Sequence, residues 1–228
     1  MRLSVILPVL DEADSIVGTL AALRGGALPV EIVVVDGGST DATVARARAM
    51  ADAVIDAPPG RARQMNAGAA VARGDVIVLL HADTRLPDGA LETICDRAGR
   101  AGFVWGRFDV RLEGQSRLLP VVAAAMNLRS RFSGIATGDQ AIFLTRAAWD
   151  RVGGVPDIPI MEDIALSRAL RRLARPVCVR DRLTTSGRRW DANGAARTIA
   201  VMWVMRAGYA LGVPPGRLAR LYARLRRG

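Results

Sequence analysis

The sequence has no lysine and only one histidine, and these two scarcities exclude several kinds of chemistry. Without lysine there can be no Walker A phosphate loop and no lysine Schiff base. A Ser-His-Asp triad would have to use His81, and no G-x-S-x-G motif is present to supply its serine. No G-x-G-x-x-G motif follows a predicted strand, which argues against a Rossmann dehydrogenase.

Cysteines and long hydrophobic runs are also scarce. Cys95 and Cys178 are far apart and form neither a metal-type pair nor a disulfide framework, so we expect a reduced, cytosolic setting. The apolar stretch Thr198–Met205 is much shorter than the ~20 residues of a membrane span. The apolar run at the N-terminus is followed at once by acidic residues, which predicts a strand and not a signal peptide.

The chain is long enough for one domain with a small appendage, and it is strongly basic. It has 228 residues and a formal net charge of +10, and every one of its 32 basic residues is arginine. The arginine fork favours anionic partners such as nucleotide diphosphates, acidic lipid surfaces or nucleic acid. Codon bias is the alternative explanation for the missing lysine.

The first half of the chain alternates strands with helices, which predicts an α/β fold with a parallel sheet and right-handed crossovers. The predicted strands are Leu3–Val9, Glu31–Val35, Ala53–Ala57 and Val76–Leu80, and the predicted helices are Ile16–Leu23, a segment ending near Met50, Arg61–Ala72 and one beginning at Pro87.

The second half of the chain is more mixed. We predict strands at Phe103–Leu112, Ala141–Leu144 and Val177–Thr185, a Gly/Pro-rich loop at Gly153–Pro159, and helices at Ser116–Phe132, Met161–Leu173, Ala192–Leu211 and Arg217–Arg227.

The stretch Asp75–Pro87 is the centre of the predicted sheet. Its strand ends in His81, Ala82 and Asp83, which therefore lie at the carboxyl edge, where open α/β sheets bind ligands. His81 and Asp83 point the same way if the backbone is extended, so both could address one ion or phosphate. The alternative is that Asp83 caps the following helix.

Three further polar clusters are candidates for chemistry. Asp36 and the glycines after it form a tight turn that could hold a base or ribose, or a simple turn with a capping Asp. Arg61 begins a helix after a Pro-Pro-Gly break and suits a phosphate or a base edge, or it lies on a solvated face. Glu162 and Asp163 begin another helix. They could provide a general base, or they could be acids that the helix dipole stabilises at the N-terminus.

The segment Arg188–Trp190 could grip a diphosphate and provide a stacking face, or be an exposed basic turn with a buried Trp. The tail is a basic amphipathic helix. It has Arg217, Arg220, Arg224 and Arg227 on one face and Leu218, Leu221, Tyr222 and Leu225 on the other. Such a helix can lie on anionic lipid or pack its leucines on the domain.

Taken in order, these motifs resemble a family 2 glycosyltransferase with the GT-A fold. The matching segments are VILPVLDEADSI, VVVDGGSTDAT, GRARQMNAGAAVARGDVIVLLHADT and GDQAIFLTRAAWDRVGGVPDIPIMEDIALSRAL, which together cover about residues 3–172. The resemblance implies a Rossmann-like, mostly parallel central sheet flanked by helices, with a mixed C-terminal half and C-terminal helices. It places the GT-A domain at 1–190, with a nucleotide-binding half at about 1–100, an acceptor half at about 101–190, and a helical extension at 191–228.

The resemblance also implies roles for individual residues. Asp163 would be the catalytic base with Glu162 beside it, and Asp83 would bind a divalent metal, Mn²⁺ or Mg²⁺. The nucleotide, a UDP-sugar by expectation, would contact Pro8, Leu10, Glu12, Asp36, Gly38, Arg61 and Ala82. The acceptor or diphosphate would contact Gly138, Asp139, Gln140, Arg188, Arg189 and Trp190. Residues 185–190 are similar to the Q-x-x-R-W element of processive members, with Ser186 in the Gln position.

One departure concerns the DXD motif, which is His-Ala-Asp here. Mg²⁺ prefers oxygen and Mn²⁺ accepts nitrogen more readily, so His81 would ligate the metal or contact phosphate or sugar instead. This form is similar to a small bacterial subfamily associated with arsenosugar biosynthesis.

The resemblance implies an inverting, metal-assisted sugar transfer to a hydroxyl on a small molecule or lipid, and it implies no nucleic-acid partner. We also allow for a homodimer and, from the basic tail, for attachment to the inner face of the plasma membrane. Two rival interpretations are a sugar-nucleotide pyrophosphorylase, whose Gly-rich signature is missing, and a non-catalytic nucleotide-binding protein at a membrane surface.

Overall fold

A computed structural model of the chain describes residues 1–227, without the side chains of Arg189, Asn193, Arg226 and Arg227. The strands in chain order are β1 Leu3–Val9, β2 Val30–Asp36, β3 Ala53–Asp56, β4 Val76–Leu79, β5 Thr84–Arg85, β6 Trp105–Glu113, β7 Ile142–Thr145 and β8 Val177–Ser186. The helices in chain order are α1 Ala13–Arg24, α2 Thr43–Arg48, α3 Arg61–Val71, α4 Ala90–Ala98, α5 Leu119–Ser133, α6 Arg146–Val152, α7 Glu162–Arg171, α8 Arg188–Asn193, α9 Ala195–Ala210 and α10 Pro215–Arg227.

The strands form a mixed sheet in the order β3-β2-β1-β4-β7-β6-β8-β5. The first-half strands β1 to β4 pair in parallel, as the sequence predicts for strands joined by helices. The strand β7 then runs antiparallel to both β4 and β6, while β6 and β8 pair in parallel. The predicted α/β class with a mixed second half is therefore confirmed.

Helices cover both faces of the sheet because side chains alternate along its strands. In β1, Val5 and Leu7 pack into a core that includes Ile16 and Leu20 of α1. Ile6, between them, packs into the opposite core, with α3, α6 and α7. The continuous apolar runs of the sequence thus correspond to strands that are buried on both faces.

The short strand β5 connects the central stretch to the second half of the chain. Thr84 pairs with Thr185 of β8, and their hydroxyls form a hydrogen bond of 3.0 Å. This pairing brings the residues just after β8 next to those just before β5. The sequence did not predict β5, because two residues are too few for a periodic pattern.

Three helix predictions need correction. Helix α4 begins at Ala90 and not at Pro87, because Gly89 adopts a left-handed conformation with φ 72° before it. Helix α6 was not predicted; the hydroxyl of Thr145 caps it by accepting the amide of Ala148. The predicted helix 192–211 is divided into α8 and α9 at Gly194.

The last two helices pack on the second half of the chain. Met205 of α9 and Leu218 of α10 are buried in a small core with Ile135, Met161 and Ile164. Two other apolar residues of the tail, Tyr222 and Leu225, pack against this core. The packing alternative for the amphipathic tail is therefore the one that these contacts support; Arg227 lies outside the described side chains. No helix in residues 1–227 is both long and apolar enough to cross a membrane.

Candidate active site

Two polar turns interlock at the carboxyl edge of the sheet, one after β1 and the other after β2. The Asp11 amide donates to the Ser39 hydroxyl at 2.9 Å, and the Thr40 amide donates to the Asp11 carboxylate at 2.8 Å. The Ala13 amide donates to Asp41 at 3.1 Å. The acidic and Ser/Thr residues of the two motifs therefore hold each other in place.

Asp36 serves the second of these turns. Its carboxylate accepts the amides of Gly38 and Ser39, both at 2.9 Å, and the Ser39 hydroxyl at 2.5 Å. The Asp36 side chain is buried, and Gly38 has a φ of 99°, which favours glycine. These contacts match the capping alternative. They do not use all of the about four lone-pair sites of a carboxylate, so the contact of Asp36 with a base stays a prediction.

A cleft of about 1350 Å³ opens at this edge and extends into the second half of the chain. Most of the residues predicted to bind nucleotide or metal line one side of it. They are Pro8, Leu10, Glu12, Arg61, His81, Ala82 and Asp83. We name this side the donor side.

Arg188 lies between two carboxylates on the donor side. Its Nη2 donates to Glu12 Oε1 at 2.5 Å and lies 3.6 Å from Asp83 Oδ2. The hydrogen bond to Glu12 raises the pKa of Arg188. The pairing of β5 with β8 explains this position, because Arg188 follows β8 and Asp83 precedes β5.

His81 faces a 3₁₀ turn, Gly138–Gln140, that comes from the second half of the chain. Its Nδ1 lies 3.5 Å from Asp139 Oδ1. A Cβ at Gly138 would lie 2.4 Å from His81 Nε2, so only glycine fits without a shift. Both ring nitrogens therefore meet this turn.

Asp163 is anchored by the same turn. Its Oδ2 accepts the amide of Gly138 at 3.0 Å, and its Oδ1 accepts the amide of Ile164 at 2.7 Å. Asp163 does not line the cleft itself, but its neighbours Asp139 and Ile164 do. Gly138 therefore contacts both Asp163 and His81.

Glu162, beside Asp163, is 7% exposed. Burial raises the pKa of Glu162, and the charge of Asp163 raises it further. Its Oε1 lies 4.0 Å from Arg61 Nη1, and this contact connects the start of α7 to the donor side.

Within residues 1–227, three non-glycine residues have positive φ, and each is next to a residue predicted for the site. They are Asp11 (53°), beside Glu12; Ala141 (44°), beside Gln140; and Met161 (69°), beside Glu162. Such conformations are uncommon for non-glycine residues and cluster at functional sites. The sequence contained no signal for Ala141 or Met161.

The remaining predicted contacts differ in outcome. Asp139, Ser186 and Trp190 line the cleft. Gln140 is completely buried, and its amide accepts from Thr137 and donates towards Phe108, so we assign it a structural role in place of the predicted ligand contact. The side chain of Arg189 lies outside the described residues.

The donor side offers carboxylate oxygens to a cation. Within residues 1–227, no group of three or more His, Cys, Asp or Glu could hold a metal by itself. Glu12 and Asp83 nevertheless converge on one guanidinium nitrogen, so a positive charge fits between them. This donor set suits a cation such as Mg²⁺, which is commonly bound by one or two carboxylates together with substrate phosphates.

Comparison with known proteins identifies the class. The family model described as glycosyl transferase family 2 matches residues 4–150. The chain therefore belongs to glycosyl transferase family 2. No sufficiently similar sequence was found among curated proteins.

Solved structures show the same fold. TarS 1–349 of S. aureus has a TM-score of 0.66 and 19% identity over 88% of this chain, which spans 65% of that fragment. The mannosyltransferase PcManGT of Pyrobaculum calidifontis, in complex with GDP-Man and Mn²⁺, has a TM-score of 0.68 and 20% identity over 98% of this chain and 69% of its own. Glucosyl-3-phosphoglycerate synthase of Mycobacterium tuberculosis, with Mn²⁺, UDP and glucosyl-3-phosphoglycerate, has a TM-score of 0.62 and 22% identity over 91% of this chain and 80% of its own.

Proposed function

We propose that the protein transfers a sugar from a nucleotide-diphosphate sugar, with a UDP-sugar as the expected donor, to an acceptor hydroxyl with inversion. The observation that supports this most strongly is the shared turn Gly138–Gln140. Gly138 donates to Asp163 on one side, while His81, two residues before Asp83, packs against the same glycine. The candidate base and His81 therefore contact the same turn, from its two sides.

Asp163 is the proposed general base. It takes the proton of the acceptor hydroxyl while the acceptor oxygen bonds to the anomeric carbon. The bond from that carbon to the diphosphate oxygen breaks, and its electron pair leaves with the nucleoside diphosphate. The backbone amides of Gly138 and Ile164 fix the orientation of the carboxylate, and a positioned base contributes ~10²–10⁴-fold in rate.

Asp83 and Glu12 are the proposed protein ligands of a divalent cation, Mn²⁺ or Mg²⁺. When bound, such a cation would offset negative charge on the leaving diphosphate. Arg188 and Arg61 line the same side of the cleft and would contact the diphosphate oxygens. Because both nitrogens of His81 meet the turn at Gly138 and Asp139, we assign His81 to positioning that turn and not to the metal.

The solved relatives support this donor chemistry. PcManGT was solved in complex with GDP-Man and Mn²⁺, and glucosyl-3-phosphoglycerate synthase with UDP and either Mn²⁺ or Mg²⁺. In the sequence His81-Ala82-Asp83, the chain resembles the small subfamily associated with arsenosugar biosynthesis. A cytoplasmic location rests on the free cysteines Cys95 and Cys178. A homodimer and attachment to the plasma membrane stay predictions.

A thermal-shift screen of UDP- and GDP-sugars with Mn²⁺ or Mg²⁺ tests the donor. A donor present at ~100 times its Kd stabilises by ~2.7 kcal/mol, which corresponds to a rise of about 5–10 °C in Tm for a chain of this size. We expect this rise only when metal and donor are both present. Product formed with the matching acceptor should have the inverted anomeric configuration by NMR. Retention of configuration would overturn the mechanism.

A further inference from the structure

The cleft has a second side, which contains none of the residues of the donor side. Beyond Asp139 it is lined by apolar side chains of two helices: Val121, Ala125 and Met126 of α5, and Ile199, Met202 and Trp203 of α9. We name this side the α5–α9 groove. The whole cleft, at about 1350 Å³, exceeds the ~300–1,000 Å³ of an ordinary small-ligand pocket.

The rim of the groove exposes large apolar side chains to solvent. Val121 is 65% exposed and Trp203 is 74% exposed, on the two helices that form its walls. Single exposed apolar residues are common, but an apolar wall that continues into a cleft marks a binding surface. The groove therefore suits a ligand with a hydrocarbon portion.

Two arginines stand among these apolar residues. Arg129 of α5 and Arg206 of α9 both line the cleft. The Nε and Nη2 atoms of Arg129 are buried and have no hydrogen-bond partner in the described part of the chain. A buried donor without a partner is costly, and an anion with several oxygens would satisfy it.

The electrostatics of these arginines agree with an anion site. Burial, together with the nearby charge of Arg206, lowers the pKa of Arg129 to about 10. Burial also lowers the pKa of Arg206, whereas the charge of Asp163 raises it. Both guanidinium groups remain protonated at neutral pH, and both are close enough to Asp163 to feel its charge. Two like charges that face one space favour an anion between them.

We propose that the α5–α9 groove binds a phospholipid acceptor whose headgroup carries both a phosphate and a hydroxyl. Arg129 and Arg206 hold the phosphate, the hydrocarbon chain lies along the apolar walls, and the hydroxyl reaches Asp163. A phosphate suits this pair because guanidinium forks bind its oxygens in a bidentate manner. This proposal rests on the proposed function, since it names the class of acceptor for the same reaction.

Calorimetric titration of the full chain with short-chain lipids below their micelle concentration tests this proposal. The probes are dihexanoyl phosphatidylglycerol, dihexanoyl phosphatidylcholine and glycerol 3-phosphate. We expect phosphatidylglycerol to bind at least about tenfold more tightly than either of the others. Phosphatidylcholine lacks the headgroup hydroxyl, and glycerol 3-phosphate lacks the hydrocarbon chains. Equal binding of the two lipids would overturn the headgroup assignment. Equal binding of glycerol 3-phosphate and phosphatidylglycerol would overturn the lipid assignment.

Variants locate the binding. Arg129→Gln and Arg206→Gln should each weaken phosphatidylglycerol binding by about tenfold, and Trp203→Ala should weaken it by about three- to tenfold. Matched controls are Arg151→Gln, at an exposed position of α6, and Leu211→Ala, a highly exposed residue that does not line the cleft. These controls should bind as wild type does, with Tm checked for each protein. Equal losses in the controls would contradict the assignment to the groove.

The outcomes also separate this proposal from the proposed function. Lipid binding without any binding of a nucleotide sugar would leave the groove standing and overturn the transferase mechanism. Binding of a nucleotide sugar without selective lipid binding would overturn the assignment of the groove and leave the transferase mechanism standing.

Discussion

Arg188 and Asp83 face each other on the donor side of the cleft, with Nη2 3.6 Å from Oδ2. The same nitrogen donates a hydrogen bond to Glu12, so one guanidinium lies between the two carboxylates that we propose as metal ligands. A metal ion bound there would therefore compete with Arg188 for these oxygens when no nucleotide is present. A bound diphosphate would offer Arg188 other oxygens and remove this competition.

Replacing Arg188 with Gln should change metal and nucleotide binding in opposite directions. Loss of charge-assisted hydrogen bonds to the diphosphate should weaken nucleoside diphosphate binding by about 10–100-fold. Binding of Mn²⁺ to the protein alone should become tighter, because the competing cation has gone. Titrations of Mn²⁺ by electron paramagnetic resonance and of UDP by calorimetry measure the two effects. Arg188→Lys, which keeps the charge but not the fork, should be intermediate. An unchanged affinity for both ligands would remove Arg188 from the site.

Replacing Gly138 with Ala should damage activity through His81. The new Cβ would lie 2.4 Å from Nε2, so the ring or the turn that anchors Asp163 must shift. A misplacement of ~1 Å can cost about 10²-fold in rate, and we expect a fall of that order in kcat. The matched test is the double variant Gly138→Ala with His81→Ala, which removes the clash. Partial recovery relative to Gly138→Ala alone would support the positioning role of His81, and additive losses would contradict it.

Replacing Glu162 with Gln should make the protein more stable at neutral pH. Because burial raises the pKa of Glu162 in the folded state, the folded protein holds more protons than the unfolded chain above the unfolded pKa of ~4.3. This contribution to stability is therefore present at low pH and is lost as the pH rises through the folded pKa. The variant should exceed wild type in Tm at pH 7 and lose that advantage near pH 4. A constant difference from pH 4 to pH 8 would contradict the buried, charged state of Glu162.

Patterns in the sequence predicted most of the sheet. The strand β1 has the predicted bounds Leu3–Val9, because a continuous apolar run reports burial on both faces. The strand β5 and the helix α6 are too short for a hydrophobic period to be recognised in the sequence. The break at Gly194 depends on a backbone conformation, φ 76°, that glycine permits but does not require.

The site was predicted less completely than the sheet. Polar residues after strands indicated the cleft, since the carboxyl ends of parallel strands meet at one edge. The ion pair of Arg188 with Asp83 depends on the register of Thr84 with Thr185, which the sequence does not reveal. Arg129 and Arg206 lie in helices with no motif around them, so only tertiary packing shows that they share a groove.

The most direct test of the account is the rate of sugar transfer by Asp163→Asn, measured at saturating donor together with the Kd for the nucleotide. We predict a fall of about 10²–10⁴-fold in kcat and a change of less than about threefold in Kd, because the amide cannot accept the hydroxyl proton and the donor side is untouched. The matched control is Asp150→Asn, an exposed position on α6, which should behave as wild type does. Wild-type transfer by Asp163→Asn would contradict the central claim that this carboxylate is the base of the reaction.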